Sequence, residues 1–171
     1  SGMREDAPGY GINWHERAPY EVLTTDWLSY GDVLLLKGVE DMVEVYYNSR
    51  QFDRTISKIM ERYASPFLFF KELADFYDRE GLAGIGHARI ARYEILRRFL
   101  SEEKGWELKE YEQCMVLDLY ARENLKSRPA FAPDLSPYKE QLKIMTREYG
   151  RQVHVEVLER ERRPVYMMFD Y

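Results

Sequence analysis

The chain has 171 residues, 45% hydrophobic and 32% charged, so it carries enough apolar material for a packed core and is not a disordered tail. Its net charge of −5 argues against broad nucleic-acid binding, which needs cations to neutralise phosphates. A single cysteine, Cys114, excludes a disulfide framework, a multi-thiolate zinc site and an iron–sulfur cluster held by this chain alone.

Residues 1–26 read as an irregular lead-in. Ala7-Pro-Gly-Tyr-Gly-Ile-Asn carries turn residues and Ala18-Pro19 breaks any helix, while Trp14, Tyr20, Val22 and Leu23 can still pack on a neighbour. No basic stretch followed by an apolar one marks a signal peptide here, and together with the lone thiol this predicts a cytoplasmic setting. Ser1-Gly2 ahead of Met3 reads as a remnant of tag removal, which makes Met3 a chosen start and the chain a piece of a longer protein.

From Ser29 the period becomes helical. Leu36, Val39, Val43 and Tyr46 recur three and four apart, opposite Lys37, Glu40, Asp41, Glu44 and Asn48, and predict an amphipathic helix. A second helix runs from Asp53 to about Tyr63, with Ile56, Ile59, Met60 and Tyr63 inward. Ser65-Pro66 is an N-cap followed by proline at the first helical position, opening a third helix that buries Phe70, Leu73, Ala74 and Tyr77 and ends at Gly81. A fourth helix, 88–103, turns Ile90, Tyr93, Leu96 and Leu100 inward and closes at Gly105. A fifth, 108–125, buries Leu108, Tyr111, Met115 and Leu119.

Pro129, Pro133 and flanking serines make 126–136 a linker, and Ser136-Pro137 starts a short sixth helix ended by Gly150. The period then falls to two: Val153, Val155 and Val157 alternate with His154 and Glu156, and after a charged turn a second apolar run covers 165–169. These runs predict a β-hairpin, which is marginal alone and must pack on helices, pair with the N-terminal segment or join a sheet elsewhere. The fold class expected is mainly α, a bundle of five to six helices (27–126) followed by linker, short helix and hairpin (127–171). No run of about 18 apolar residues predicts a membrane span.

Gly81-Leu-Ala-Gly-Ile-Gly-His87 precedes a helix but follows another helix and has neither phosphate-loop spacing, so a helix connection is the better reading. His15, His87 and His154 have no ligand-spaced partner, and Cys114 sits mid-helix, where a thiol is buried and inert. Arg89, Arg92, Arg97 and Arg98 decorate the fourth helix, with Glu94, Glu102 and Glu103 available to neutralise them. Asp118 and Arg122 are spaced as an i,i+4 pair. Arg122, Lys126 and Arg128 form either an anion-binding or docking corner or a helix end that sets cations against the dipole.

Pro19-Tyr-Glu-Val-Leu-Thr-Thr-Asp-Trp-Leu-Ser-Tyr30, Val43-Glu-Val-Tyr-Tyr-Asn-Ser49, Arg122-Glu-Asn-Leu-Lys-Ser-Arg-Pro129 and the closing Met168-Phe-Asp-Tyr171 carry a resemblance. Together they resemble the C-terminal region, a domain of unknown function, of bacterial cobalamin-binding radical S-adenosylmethionine proteins. The resemblance implies a parent with a cobalamin domain and a radical barrel bearing a Cys-x-x-x-Cys-x-x-Cys motif. The parent would use a [4Fe–4S] cluster, S-adenosylmethionine and cobalamin, none of them held by this chain. It implies a non-catalytic accessory domain, partnered by the missing N-terminal domains, that covers the active site or binds an unknown substrate. Trp14, Tyr20 and Trp27 are then candidate interdomain contacts, and Arg89, Arg92, Arg122, Lys126 and Arg128 candidate partner or anion contacts. The rival is a stand-alone helical module binding protein or, less in keeping with the acidic charge, RNA.

Overall fold

The computed structural model describes residues 11–14, 22–150, 152–160 and 163–171, with Trp14 and Leu23 described by backbone only. Among the described residues the chain is mainly α, with six α-helices and a C-terminal antiparallel hairpin, as the period analysis predicts. Two compact units divide it: Ser1–Val45 with Ser65–Gly84, and Tyr46–Ala64 with Ile85–Tyr171.

In the first unit, the predicted irregular lead-in contains a small ladder. Strand β1 (Asn13–Trp14) pairs antiparallel with β2 (Val22–Thr24), and Asn13 Nδ2 donates to Thr24 Oγ1 at 2.9 Å. Helix α1 (Tyr30–Val43) opens with a reciprocal cap. Asp32 N–H donates to Ser29 Oγ while Ser29 N–H donates to the Asp32 carboxylate at 2.9 Å. Helix α3 (Pro66–Arg79) starts as predicted, with Phe67 N–H donating to Ser65 Oγ.

Helix α3 ends on Gly81 at φ +66. Leu82 N–H reaches the Tyr77 carbonyl at 2.8 Å and Gly81 N–H the Asp78 carbonyl at 3.0 Å, which satisfies carbonyls the helix end would orphan. Helix α1 packs on α3, with Gly38 lying against Ala74, where a small pair lets two helix backbones approach closely. Their buried residues are Val39 and Met42 of α1 and Phe69, Phe70, Leu73, Phe76 and Tyr77 of α3. One expectation is corrected: Leu36 is exposed, and Leu35, Val39 and Met42 take the inward positions. Val33–Leu36 is four apolar residues in succession, and one helix face cannot bury all four.

The second unit holds α2 (Asp53–Met60), α4 (Arg89–Arg98), α5 (Lys109–Tyr120) and α6 (Lys139–Tyr149), preceded by a 3-10 turn at Ser136–Tyr138. Two π-helical turns, Glu44–Asn48 and Phe99–Glu103, extend α1 and α4, a widening that the apolar spacing does not announce. Helix α5 is shorter than predicted. It ends at Tyr120 with Ala121 as its C-cap, and the carbonyls of Tyr120 and Glu123 accept from the Tyr171 hydroxyl at 2.6 and 3.2 Å. Six successive residues, Met115–Tyr120, are buried, so this end of α5 has no solvent face.

An aromatic row crosses the unit. Tyr46, Phe52 and Tyr93 have ring centroids 4.8 and 4.3 Å apart, and Phe131 continues the row 6.2 Å from Tyr93. Phe131 belongs to the predicted linker, so that segment is anchored in the core and is not a free tether.

Strands β3 (Val153–Arg160) and β4 (Arg163–Asp170) pair in register from Val153↔Asp170 to Arg160↔Arg163. They form a sheet separate from β1–β2, and β3 packs against α5 and α6. Val155–Leu158 are all buried, which corrects the expected outward placement of Glu156: it is 1% exposed because both faces of β3 are covered.

Candidate functional site

The first unit presents apolar side chains to solvent. Trp27 is 87% exposed, and Tyr30 and Leu34 follow it at positions three and seven, about half exposed. Leu28 and Leu36, and Phe67 and Leu68 at the start of α3, are also exposed. The exposure of Trp27 is built, not frayed. Thr25 Oγ1 accepts from the N–H groups of Trp27 (3.3 Å) and Leu28 (3.0 Å), and Thr25 N–H donates to the Leu28 carbonyl. That compact turn fixes the backbone beneath the indole. Of the other two predicted aromatic contacts, Tyr20 and the Trp14 side chain lie outside the described residues.

The predicted cationic residues are mostly engaged within the fold. Arg89 pairs with Glu123, Arg97 with Glu112 at 2.6 Å and Arg98 with Glu102 at 3.3 Å. Arg92 is half-buried, and its carbonyl accepts from the Tyr46 hydroxyl at 3.0 Å. Arg122 Nη2 donates to the carbonyls of Ser49 and Arg50 at 3.0 and 2.9 Å. Arg128 grips Glu156 with two donors, Nε at 3.1 Å and Nη2 at 2.8 Å, and its Nη1 donates to the Pro133 carbonyl. Lys126 is exposed. The Arg122–Arg128 corner is therefore dispersed: its two arginines serve different internal joints.

Asp118 does not form the expected pair with Arg122. Its carboxylate accepts from the backbone N–H of Arg54 (3.1 Å) and of Thr55 (2.9 Å), and from Thr55 Oγ1 (2.8 Å). The Arg54 guanidinium lies 3.4 Å away. Asp118 on α5 and Arg122 just beyond its end divide the work by polarity. The anion takes the amides at the start of α2, and the cation takes carbonyls of the turn before it. Burial pushes the Asp118 carboxyl up, against the opposing pull of the Thr55 and Arg54 hydrogen bonds.

Glu156 meets a different environment. His154 Nε2 lies 2.8 Å from Glu156 Oε1, and the imidazole stacks on Tyr120 with centroids 3.6 Å apart. Burial pushes the Glu156 carboxyl up, but the hydrogen bonds from His154 and Arg128 outweigh it and hold the group below the usual glutamate range. Burial, with the negative charge of Asp118 adding to it, pushes the Cys114 thiol up, so a thiolate nucleophile is disfavoured there. Among the described residues, no group of three or more His, Cys, Asp and Glu side chains is placed to hold a metal ion.

Residues 8–163 match the family described as Protein of unknown function (DUF4080). The chain belongs to that family. No curated protein and no solved structure matches it. In the DUF4080 chain the features with a built geometry are thus an exposed apolar surface in the first unit and two buried carboxylate joints in the second. The first was only partly legible. Trp27 is among the predicted interdomain contacts, whereas Leu34, Phe67 and Leu68 are on neither predicted helix face. Their one signal is surplus: Val33–Leu36 and Phe67–Phe70 each hold more consecutive apolar residues than one helix face can hide.

Proposed function

We propose that this chain is the non-catalytic C-terminal accessory region of a cobalamin-dependent radical S-adenosylmethionine enzyme, docked on the catalytic domains of the same polypeptide. The observation that carries the reading is the apolar surface around Trp27, Tyr30 and Leu34, on a backbone pinned by the Thr25 turn. Contiguous exposed apolar area rimmed by polar residues marks an interaction site, and Trp and Tyr are the residues that anchor one. The resemblance carried by Pro19–Tyr30, Val43–Ser49, Arg122–Pro129 and Met168–Tyr171 supports this assignment.

The chain's own residues do not fit the cluster of such an enzyme. Cys114 is single and its thiol is pushed up by burial, so the cluster ligands would lie in the preceding domains. No covalent step is assigned to this chain. Its part is to keep water from the barrel mouth or to hold substrate against it, in a cytoplasmic enzyme. The rival, an independent module reading RNA through the α4 arginines, is weaker because Arg89, Arg97 and Arg98 are already paired with glutamates.

The coding sequence upstream of Met3 tests the assignment most directly. A Cys-x-x-x-Cys-x-x-Cys triplet is expected there, and a natural start at Met3 would overturn it. Calorimetry of this chain alone with cobalamin and with S-adenosylmethionine is expected to show no binding, and tight binding of either would sink the division of labour. In the parent enzyme, Trp27→Glu is expected to loosen domain docking, read as faster proteolytic release of this region.

A further inference from the structure

In the second unit an open groove of about 760 Å³ runs between the segment leading from Arg128 to Ser136 and one side of α6. Its charge is one-sided. Arg128, Lys139, Lys143 and Arg147 line it, against one acid, Asp134, although the chain as a whole carries −5. Asp134 is occupied locally, accepting from Ser136 N–H at 2.9 Å and Ser136 Oγ at 2.7 Å. Arg128 is committed to Glu156, and Lys143 pairs with the exposed Glu140 at 2.9 Å. Among the described residues no ion pair involves Lys139 or Arg147.

The spacing is regular. Lys139, Lys143 and Arg147 stand four apart, so they share one helix face and present a cation about every 6 Å along it. The floor between them is apolar, supplied by Leu135 and Leu142. Helix α6 also lacks full cover. None of its residues is buried, and Ile144 is 65% exposed. An 11-residue helix without a buried stripe is marginal in water.

We infer that this groove docks an acidic peptide segment of a partner protein, in which carboxylates alternate with apolar side chains. In an extended peptide, alternate residues lie about 6.5–7 Å apart on one side, close to the interval of the α6 cations. The intervening side chains then face the opposite wall, the segment from Arg128 to Ser136 that carries Leu135. A nucleic acid fits less well, since no aromatic side chain lines the groove to stack a base and the net charge is negative. This site is independent of the Trp27 surface in both residues and chemistry.

The probe is a fluorescein-labelled peptide of about 12 residues alternating Glu with Leu or Ala, followed by anisotropy, with a thymidine oligonucleotide of similar length as comparator. The peptide is expected to bind at about 50 mM salt and to weaken roughly tenfold by about 300 mM. Arg147→Glu is expected to weaken it about tenfold, while Arg79→Glu, the same change in net charge on an exposed residue of the first unit, changes it less than about twofold. Circular dichroism checks the fold, and Arg147→Ala replaces the reversal if that variant unfolds. No peptide binding at low salt, equal losses in the two charge reversals, or tighter binding of the oligonucleotide would each overturn the inference.

Discussion

The second unit buries two carboxylates, and it holds them in opposite ways. Asp118 sits at the joint of α2 and α5, where two backbone amides and the Thr55 hydroxyl take its oxygens. Glu156 sits at the joint of the hairpin and the Arg128 segment, where a two-donor guanidinium and an imidazole do so. The amide and hydroxyl dipoles and the half-exposed Arg54 guanidinium at 3.4 Å do not outweigh burial, and the Asp118 carboxyl is raised. Burial opposes ionisation of Glu156 too, but there the hydrogen bonds from His154 and the guanidinium prevail and the carboxyl is lowered. The first joint specifies where a helix begins. The second balances charge between two distant segments. Both draw on partners far apart in sequence; the second has a two-donor guanidinium at 2.8 and 3.1 Å, whereas the first has only the half-exposed Arg54 at 3.4 Å.

Removing Asp118 should break the first joint at the larger cost. Asp118→Ala leaves two amides and a hydroxyl without acceptors in a buried place, and about 3 kcal/mol should be lost in urea denaturation. Asp118→Asn should recover less than half of that, because its amide sets a donor against donors. Glu156→Ala should cost less, about 2 kcal/mol. Arg128 keeps a quarter of its side chain in solvent and can turn outward rather than remain a buried, unpaired cation.

Acid should separate the joints by sign. The folded carboxyl of Glu156 lies below its unfolded value, so its stabilisation is present above about pH 4.5 and lost as pH falls through the folded value. The folded carboxyl of Asp118 lies above 3.8, so the native state takes up that proton first and acidification through this window favours the fold. Glu156→Gln should therefore flatten the acid limb of urea midpoints measured from about pH 7 to about pH 3.5, and Asp118→Asn should steepen it. The reverse pattern would show that the counterions do not set the difference. The smallest effect belongs to Arg122→Ala. The Ser49 and Arg50 carbonyls it leaves can turn to water, and thermal melting should register under about 1 kcal/mol.

Local signals and long-range ones differ in what a sequence reader can extract. Ser65-Pro66, Gly81, Gly105, Ser136-Pro137 and Gly150 punctuate the helices, and each acts within a few residues, so the six helices and the hairpin were legible. The partner of Asp118 lies 63 residues away at Thr55, and no spacing rule announces it. The i,i+4 rule even points to the wrong partner, because α5 ends at Tyr120, before Arg122. Alternation placed Glu156 outside because a half-buried strand hides one face, and here both faces of β3 are covered. At the candidate docking surface, periodicity marks one face as inward and is silent on surplus apolar residues, so Leu36 was assigned to the core and Leu34 went unremarked.

The six buried residues from Met115 to Tyr120 also carry a kinetic consequence. A helix turn packed on every side has no local opening that exposes its amides while its neighbours stay folded. Deuterium uptake there should proceed only through cooperative unfolding of the second unit, so the slowest-exchanging amides of this short stretch report its whole unfolding free energy. The exposed α6 amides should exchange through local fraying, orders of magnitude sooner.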